Sequence, residues 1–210
     1  MAMRILAIET ASEACSVALF EGSKTLAQDH RVLGRGHAEH LVPMIAGLPD
    51  KGRADRILFS LGPGSFTGVR IGLATARALG VAWKAEVLGY PTLRLVAARA
   101  WQPDSRDVTV CMNGGHGEWF VQNFARDGQA EGSVRSLAPE QACQTSVHDV
   151  IIGNRAKELA ELCKGEKIAL DLLPDASKAY LLHESHFTND LSPIYGRPPD
   201  ATPQVAQVEA

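Results

Sequence analysis

Short apolar blocks alternate with polar turns over the first hundred residues. Residues 5–8 and 15–20 are compact apolar runs on either side of the polar stretch ETASEA, a pattern that predicts a β-hairpin. Residues 24–32 add a third strand after the Glu21-Gly22-Ser23 turn. Between 37 and 48 the period changes. Leu41, Met44, Ile45 and Leu48 fall at i, i+3, i+4 and i+7, one face of a helix, and Pro49-Asp50-Lys51-Gly52 ends it. Residues 55–61 read as a strand, a helix starts at 66, and 86–89 form a short strand. A last helix covers 91–101, with Pro91 in its first turn, where a missing N–H costs little. The predicted order is β-β-β-α-β-α-β-α.

Gln102-Pro103-Asp104-Ser105 breaks the pattern. Residues 1–102 are therefore expected to form one lobe and 103–200 a smaller second one, with 201–210 an irregular tail. In the second half, strands at 108–112 and 118–125 flank the turn NGGHG, and a third is expected at 133–137. A short helix from Pro139, a strand at 147–152 and helices at 155–163 and 176–184 complete it. After Leu191 the chain is Pro-rich and irregular, apart from any pairing at Pro193-Ile194-Tyr195. The second half repeats the first in reduced form.

Composition narrows the class. The chain of 210 residues is 45% hydrophobic and 21% charged, ordinary for a globular protein. Its net charge is −3 and no run of Lys or Arg exceeds a pair, which argues against a protein that grips nucleic acid alone. MAMRILAIET lacks the long apolar core of a signal peptide, and no apolar stretch is long enough to span a bilayer. Cys15, Cys111, Cys143 and Cys163 are widely spaced, as free thiols of a reducing compartment are. A cytoplasmic location is expected.

The segment SLGPGSFTGVRIGLATARALG, residues 60–80, looks like a phosphate loop running into a helix. It lacks the lysine of a P-loop: Gly68 precedes Val69, and no Lys occurs in the helix before Lys84. Its glycines are spaced G-x-G-x-x-x-G, one residue longer than a dinucleotide fingerprint. Gly68, Gly72, Ala76 and Gly80 instead recur every four residues, a stripe that lets another backbone approach closely. Another side carries Phe66, Val69, Arg70, Leu73 and Arg77, a mixture enriched at protein–protein interfaces. Intramolecular core and rim is the plainer explanation of both faces.

Four stretches in order, ILAIETASEACSVAL, GHAEHLVPMI, GPGSFTGVRIGLATARAL and GYPTL, resemble the TsaB (YeaZ) family of partner subunits in tRNA threonylcarbamoyladenosine formation. The match covers roughly residues 4–95; NGGHGEWF and PIYGR resemble later family motifs more loosely. The resemblance implies an actin-like, Hsp70-like α/β fold of two related lobes, each a mixed β-sheet with flanking helices. It implies a non-catalytic role, pairing with the catalytic homologue TsaD in an assembly completed by the ATPase TsaE, or with a second copy in isolation. ATP or ADP and a metal are then expected on the partner subunits, none is required by this chain alone, and contact with tRNA is indirect. The pairing helices begin near His37 and Phe66. The expected interface is His37, His40, Leu41, Met44 and Ile45 with Phe66, Val69, Arg70, Leu73 and Arg77.

Glu9 and Thr10 stand where actin-like enzymes hold a carboxylate near phosphate and magnesium, and are the candidates for a vestigial nucleotide loop. The family has Asp-Thr there, so Glu9 is a departure. The alternative is an independent ATP-dependent or peptidase-like enzyme of the same superfamily. Its candidate residues have cheaper explanations. His37 and His40, at i and i+3, do not close a metal site, and His183 and His186 repeat the spacing with less support. Ser65 and Thr67 suit helix capping, and Cys111 beside His116 suits a buried strand cysteine next to a turn.

Overall fold

A computed structural model describes residues 2–100 and 106–197. Two five-stranded mixed sheets share one topology. In the first, β1 (Arg4–Glu9), β2 (Ala14–Glu21) and β3 (Lys24–Val32) form an antiparallel meander; β4 (Arg56–Ser60) and β5 (Glu86–Tyr90) add in parallel beyond β1, giving the order β3-β2-β1-β4-β5. In the second, β6 (Val108–Gly115), β7 (Glu118–Phe124) and β8 (Ala130–Leu137) are the meander, with β9 (Val150–Ile152) and β10 (Ile168–Leu170) parallel beyond β6. The expected half-repeat is present, and its reduction is visible in the helices. Helix α1 (His37–Ala46) has ten residues and α2 (Phe66–Trp83) eighteen. Their counterparts α4 (Pro139–Ala142) and α5 (Ala156–Leu162) have four and seven.

Strand alternation assigns the two faces of the first sheet. Leu6, Ile8, Val17, Leu19, Ile57 and Phe59 pack with Leu41, Met44, Ile45 and Leu48 and with Ala76, so α1 and α2 cover the same face. Burying each of the large aliphatic groups contributes roughly 2 kcal/mol. Ala7, Ala18, Phe20, Leu58, Leu88 and Tyr90 point to the opposite face, where they meet Leu95 and Ala98 of α3 (Thr92–Ala98). The other side of α3, Leu93, Val96 and Ala97, packs on Val108, Val110, Met112 and Phe120 of the second sheet. One seven-residue helix therefore supplies side chains to both cores. The expected division at 102/103 and the expected tail lie outside the described residues.

Differences from expectation have local causes. Helix α1 stops at Ala46 because Gly47 caps it, and Leu48 turns extended while staying buried. Pro91 is the N-cap of α3, with Thr92 as its first residue. The helix expected at 176–184 is two 3₁₀ turns, Ala176–Leu181 and Glu184–His186. Ala176, Ala179 and Leu182, buried on the first sheet, recur every three residues, the period of a 3₁₀ helix. Strand β10 is unexpected: three half-exposed residues between Lys167 and Asp171 carry no alternation to read.

The glycines of residues 60–80 are accounted for by close approach. A Cβ at Gly64 would lie 2.0 Å from the Ala11 carbonyl oxygen, and one at Gly68 2.0 Å from that of Thr10. At Gly72 it would meet the Thr10 hydroxyl at 2.5 Å, and at Gly80 a Val87 methyl at 2.4 Å. Helix α2 thus lies with its backbone against the β1–β2 turn. Thr10 Oγ1 donates to Gly68 O at 2.8 Å, and Ser65 N donates to Ala11 O at 2.7 Å.

Gly68→Ala is expected to lower unfolding stability by about 3 kcal/mol, the upper range for overpacking. Ala78→Gly, on the exposed side of the same helix, should cost only about 1 kcal/mol. Urea unfolding of both variants checks this, and equal losses would remove the packing explanation.

Candidate functional site

The surface over α1 and α2 differs from the expected interface at five of its ten positions. Leu41, Met44, Ile45 and Val69 are buried in this chain's own core, and so is His37. The His37 Nε2–H donates to Ser12 O at 2.9 Å, with Ala14 O at 3.2 Å, so the ring ties α1 to the β1–β2 turn. These five side chains are spent internally. His40 and Leu73 are half-buried, and Leu73 packs partly on the core. Phe66, Arg70 and Arg77 are exposed. The outward face also presents Val42, Val81 and Ala46, Ala74, Ala78 and Ala82, none of them among the expected residues. Val42 is 57% exposed and Val81 84%. A sequence signal existed for these: small residues at 74, 78 and 82 repeat every four, on a different side from the glycine stripe.

Glu9 and Thr10, the candidates for a vestigial nucleotide loop, are sealed from solvent. Glu9 is fully buried, and Thr10 is covered by α2. Glu9 Oε1 accepts from Ala11 N at 2.7 Å and from Ser60 Oγ at 2.8 Å. The Tyr90 hydroxyl donates to Ile8 O at 2.9 Å and lies 3.5 Å from Glu9 Oε2. Burial pushes the Glu9 carboxyl up to about 7, against the pull of these hydrogen bonds.

Of the nucleophile candidates, Ser65 and Cys111 are committed to the fold. Ser65 caps α2 by accepting from Gly68 N at 3.2 Å, whereas Thr67 is an exposed residue inside the helix and caps nothing. Cys111 is wholly buried, and burial drives its thiol far above the usual range; His116 is exposed on the hairpin turn. His183 lies beside His186 with ring centroids 6.2 Å apart, and Arg94 Nη1 is 3.3 Å from His186 Nε2. Among the described residues, no three His, Cys, Asp or Glu side chains gather as metal ligands do. Nor is any helix there long and apolar enough to cross a membrane.

Between the sheets lies a cavity of about 1000 Å³. Its walls are the β1–β2 turn (Ala11, Ser12, Glu13), the start of α2, the β6–β7 hairpin turn and the segment 193–197. Glu13 spans the two halves, both oxygens accepting from Asn154 Nδ2 at 2.8 and 3.0 Å. The last segment is fixed to both sheets. Ile194 N donates to Leu61 O at 2.7 Å, Gly196 abuts the Phe120 ring, and Tyr195 stacks on Phe66 with centroids 5.7 Å apart. Arg35 and Asn154 belong to no motif, and Glu13 and Tyr195 lie inside family-like stretches that give no sign of meeting here.

Two copies of one β-β-β-α-β-α-β unit, facing across a cleft and joined by a shared helix, define an actin-like two-lobed α/β protein. A family model described as TsaD: tRNA N6-adenosine threonylcarbamoyltransferase matches residues 27–188. The tRNA threonylcarbamoyladenosine biosynthesis protein TsaB of Escherichia coli (strain K12) is 29% identical over 93% of this chain and 95% of its own length. The protein of the same name from Haemophilus influenzae is 36% identical over 60% of this chain and 55% of that one. Among solved structures, YeaZ from Pseudomonas aeruginosa superposes with a TM-score of 0.72 at 30% identity, covering 84% of this chain and 88% of that chain. The chain belongs to the TsaB/YeaZ family, within the wider group that the TsaD model describes.

Glu9 gives the fold a pH dependence of definite sign. Below pH 4.5 the carboxyl is protonated in folded and unfolded chains alike. Between 4.5 and about 7 the folded state keeps a proton that the unfolded state has released, so stability falls as pH rises; above 7 the loss is complete. A shift of that size corresponds to about 3 kcal/mol. Glu9→Gln stays neutral, so it should match the parent near pH 4 and exceed it above pH 7. Urea midpoints across that range test this, and parallel profiles for the two chains would contradict it.

Proposed function

We propose that this chain is a non-catalytic partner subunit in threonylcarbamoyladenosine formation on tRNA, acting by pairing with its catalytic homologue TsaD. The observation that carries this reading is the outward face of α1 and α2. Two helices side by side on one sheet expose Val42, Ala74, Ala78 and Val81, with Phe66, Arg70 and Arg77 beside them. An apolar strip of small side chains lets a second pair of helices approach closely, and aromatic and arginine neighbours suit an interface. The residues that would make the chain an independent enzyme are meanwhile engaged in structural bonds, Glu9 sealed and Ser65 capping.

In this reading the nucleotide and metal chemistry resides on TsaD and on the ATPase TsaE. The net charge of −3 fits a subunit that meets tRNA through its partners. A cytoplasmic site of action follows from a tRNA substrate. The same face would serve self-pairing when TsaD is absent, because a two-fold contact needs only one self-complementary patch.

Exposed alanines make the cleanest test. Ala74→Glu and Ala78→Glu place charge on the strip without disturbing the core, so the thermal midpoint should hold while affinity for TsaD falls at least roughly tenfold, or about 1.4 kcal/mol. Leu73 is unsuitable because it packs partly on the core. Sedimentation of mixed chains reads the affinity, and unchanged pairing in both variants would place the interface elsewhere.

A further inference from the structure

The eighteen residues of α2 include two charged side chains, Arg70 and Arg77, and no carboxylate, in a chain whose 24 acidic residues outnumber its 21 Lys and Arg. Both arginines are exposed, and neither makes an ion pair or a side-chain hydrogen bond among the described residues. Arg70, at the end of α2 that borders the cleft, rests its guanidinium carbon 3.6 Å above the Phe66 ring centroid. Stacking on its flat side leaves the N–H edge of the guanidinium available. The two arginines are seven residues apart, two turns and about 10 Å along the helix, on one stripe with exposed Ala74 between them. On α1 the one carboxylate is Glu39, in the first turn. The outward face of the two helices is therefore apolar with an excess of positive charge, the reverse of the chain as a whole.

Resting on the reading of this face as the pairing surface, we propose that Arg70 and Arg77 select its partner: a helical surface that presents carboxylates about two turns apart, in preference to a second copy of this chain. The two-fold geometry of self-pairing carries the argument. In an antiparallel contact that crosses at Ala74, the small side chain midway between the arginines, Arg70 of one copy faces Arg77 of the other, and the symmetry repeats the clash. A parallel contact is no better, because each arginine then meets its own counterpart. Like charges opposed in this way weaken self-pairing, whereas carboxylates at the same places receive bidentate hydrogen bonds from both guanidinium groups. Val42, Ala74, Ala78 and Val81 offer apolar contact to either partner, and the arginines decide between them. An RNA strand is disfavoured, because two cations on an apolar face are too few to hold a polyanion.

Charge reversal tests this. Arg77→Glu turns both clashes of the two-fold contact into Arg70–carboxylate pairs, and the double variant Arg70→Glu with Arg77→Glu restores like charges. Sedimentation equilibrium follows each chain alone and mixed with TsaD, at about 50 mM and about 500 mM salt to vary the screening. Arg77→Glu is expected to self-associate at least roughly tenfold more tightly than the parent at low salt, and to lose at least as much affinity for TsaD. The double variant should return to the parent's self-association, and thermal midpoints should hold, since both side chains are exposed. Pairing of the parent with TsaD should weaken as salt rises. Unchanged or weaker self-association of Arg77→Glu would overturn the proposal, as would a double variant that self-associates as tightly as the single one, or salt-independent pairing with TsaD. Binding of tRNA by the parent alone that Arg77→Glu abolishes would assign the arginines to nucleic acid and also overturn it. No pairing of the parent with TsaD at either salt would instead remove the underlying reading of the face, an outcome that the self-association of Arg77→Glu keeps distinct.

Discussion

The contact on which the first lobe depends is that of the α2 backbone with the carbonyls of Thr10 and Ala11. Side chains normally keep a helix several ångströms further from a neighbouring turn. Here Gly64 and Gly68 each leave no room for a Cβ, and the resulting approach is locked by hydrogen bonds from Thr10 Oγ1 and Ser65 N. His37 secures the other side of the same turn from α1. Three elements distant in sequence thereby converge on residues 10–14.

That convergence sets what the lobe can do. Covering Thr10 removes the turn as a place to hold phosphate, and Glu9 behind it is sealed beneath Tyr90 and Ser60. Fixing α1 and α2 on the same sheet face also leaves their outer sides together as one broad surface. The glycines that close off the turn thus also set the outer sides of the two helices next to each other. The shared helix α3 and the Glu13–Asn154 bond then hold the second sheet across the cleft, so the platform sits on a body braced from both halves.

Much of this was legible because it is periodic. The i, i+3, i+4, i+7 spacing of Leu41, Met44, Ile45 and Leu48 identified the helix, and the four-residue repeat from Gly68 to Gly80 identified close packing. The period could not say which neighbour an apolar stripe meets. Leu41, Met44, Ile45 and Val69 are spent on the chain's own sheet, while Val42, Ala74, Ala78 and Val81, one residue or more around the helix, face outward. The 3₁₀ turns near 176–186 follow a three-residue period close enough to 3.6 to pass for a helix over so short a run. The cleft was barely legible: Arg70 and Tyr195 stand in motifs, but no period or spacing places them with Arg35.

The most direct measurement is threonylcarbamoylation of tRNA by purified TsaD and the remaining components, with and without this chain, alongside ATP turnover by the chain alone. The account predicts product only when the chain is present and no turnover when it is alone. Full-rate modification without it, or turnover by the isolated chain that Glu9→Ala abolishes, would contradict a partner that holds the enzyme rather than being one.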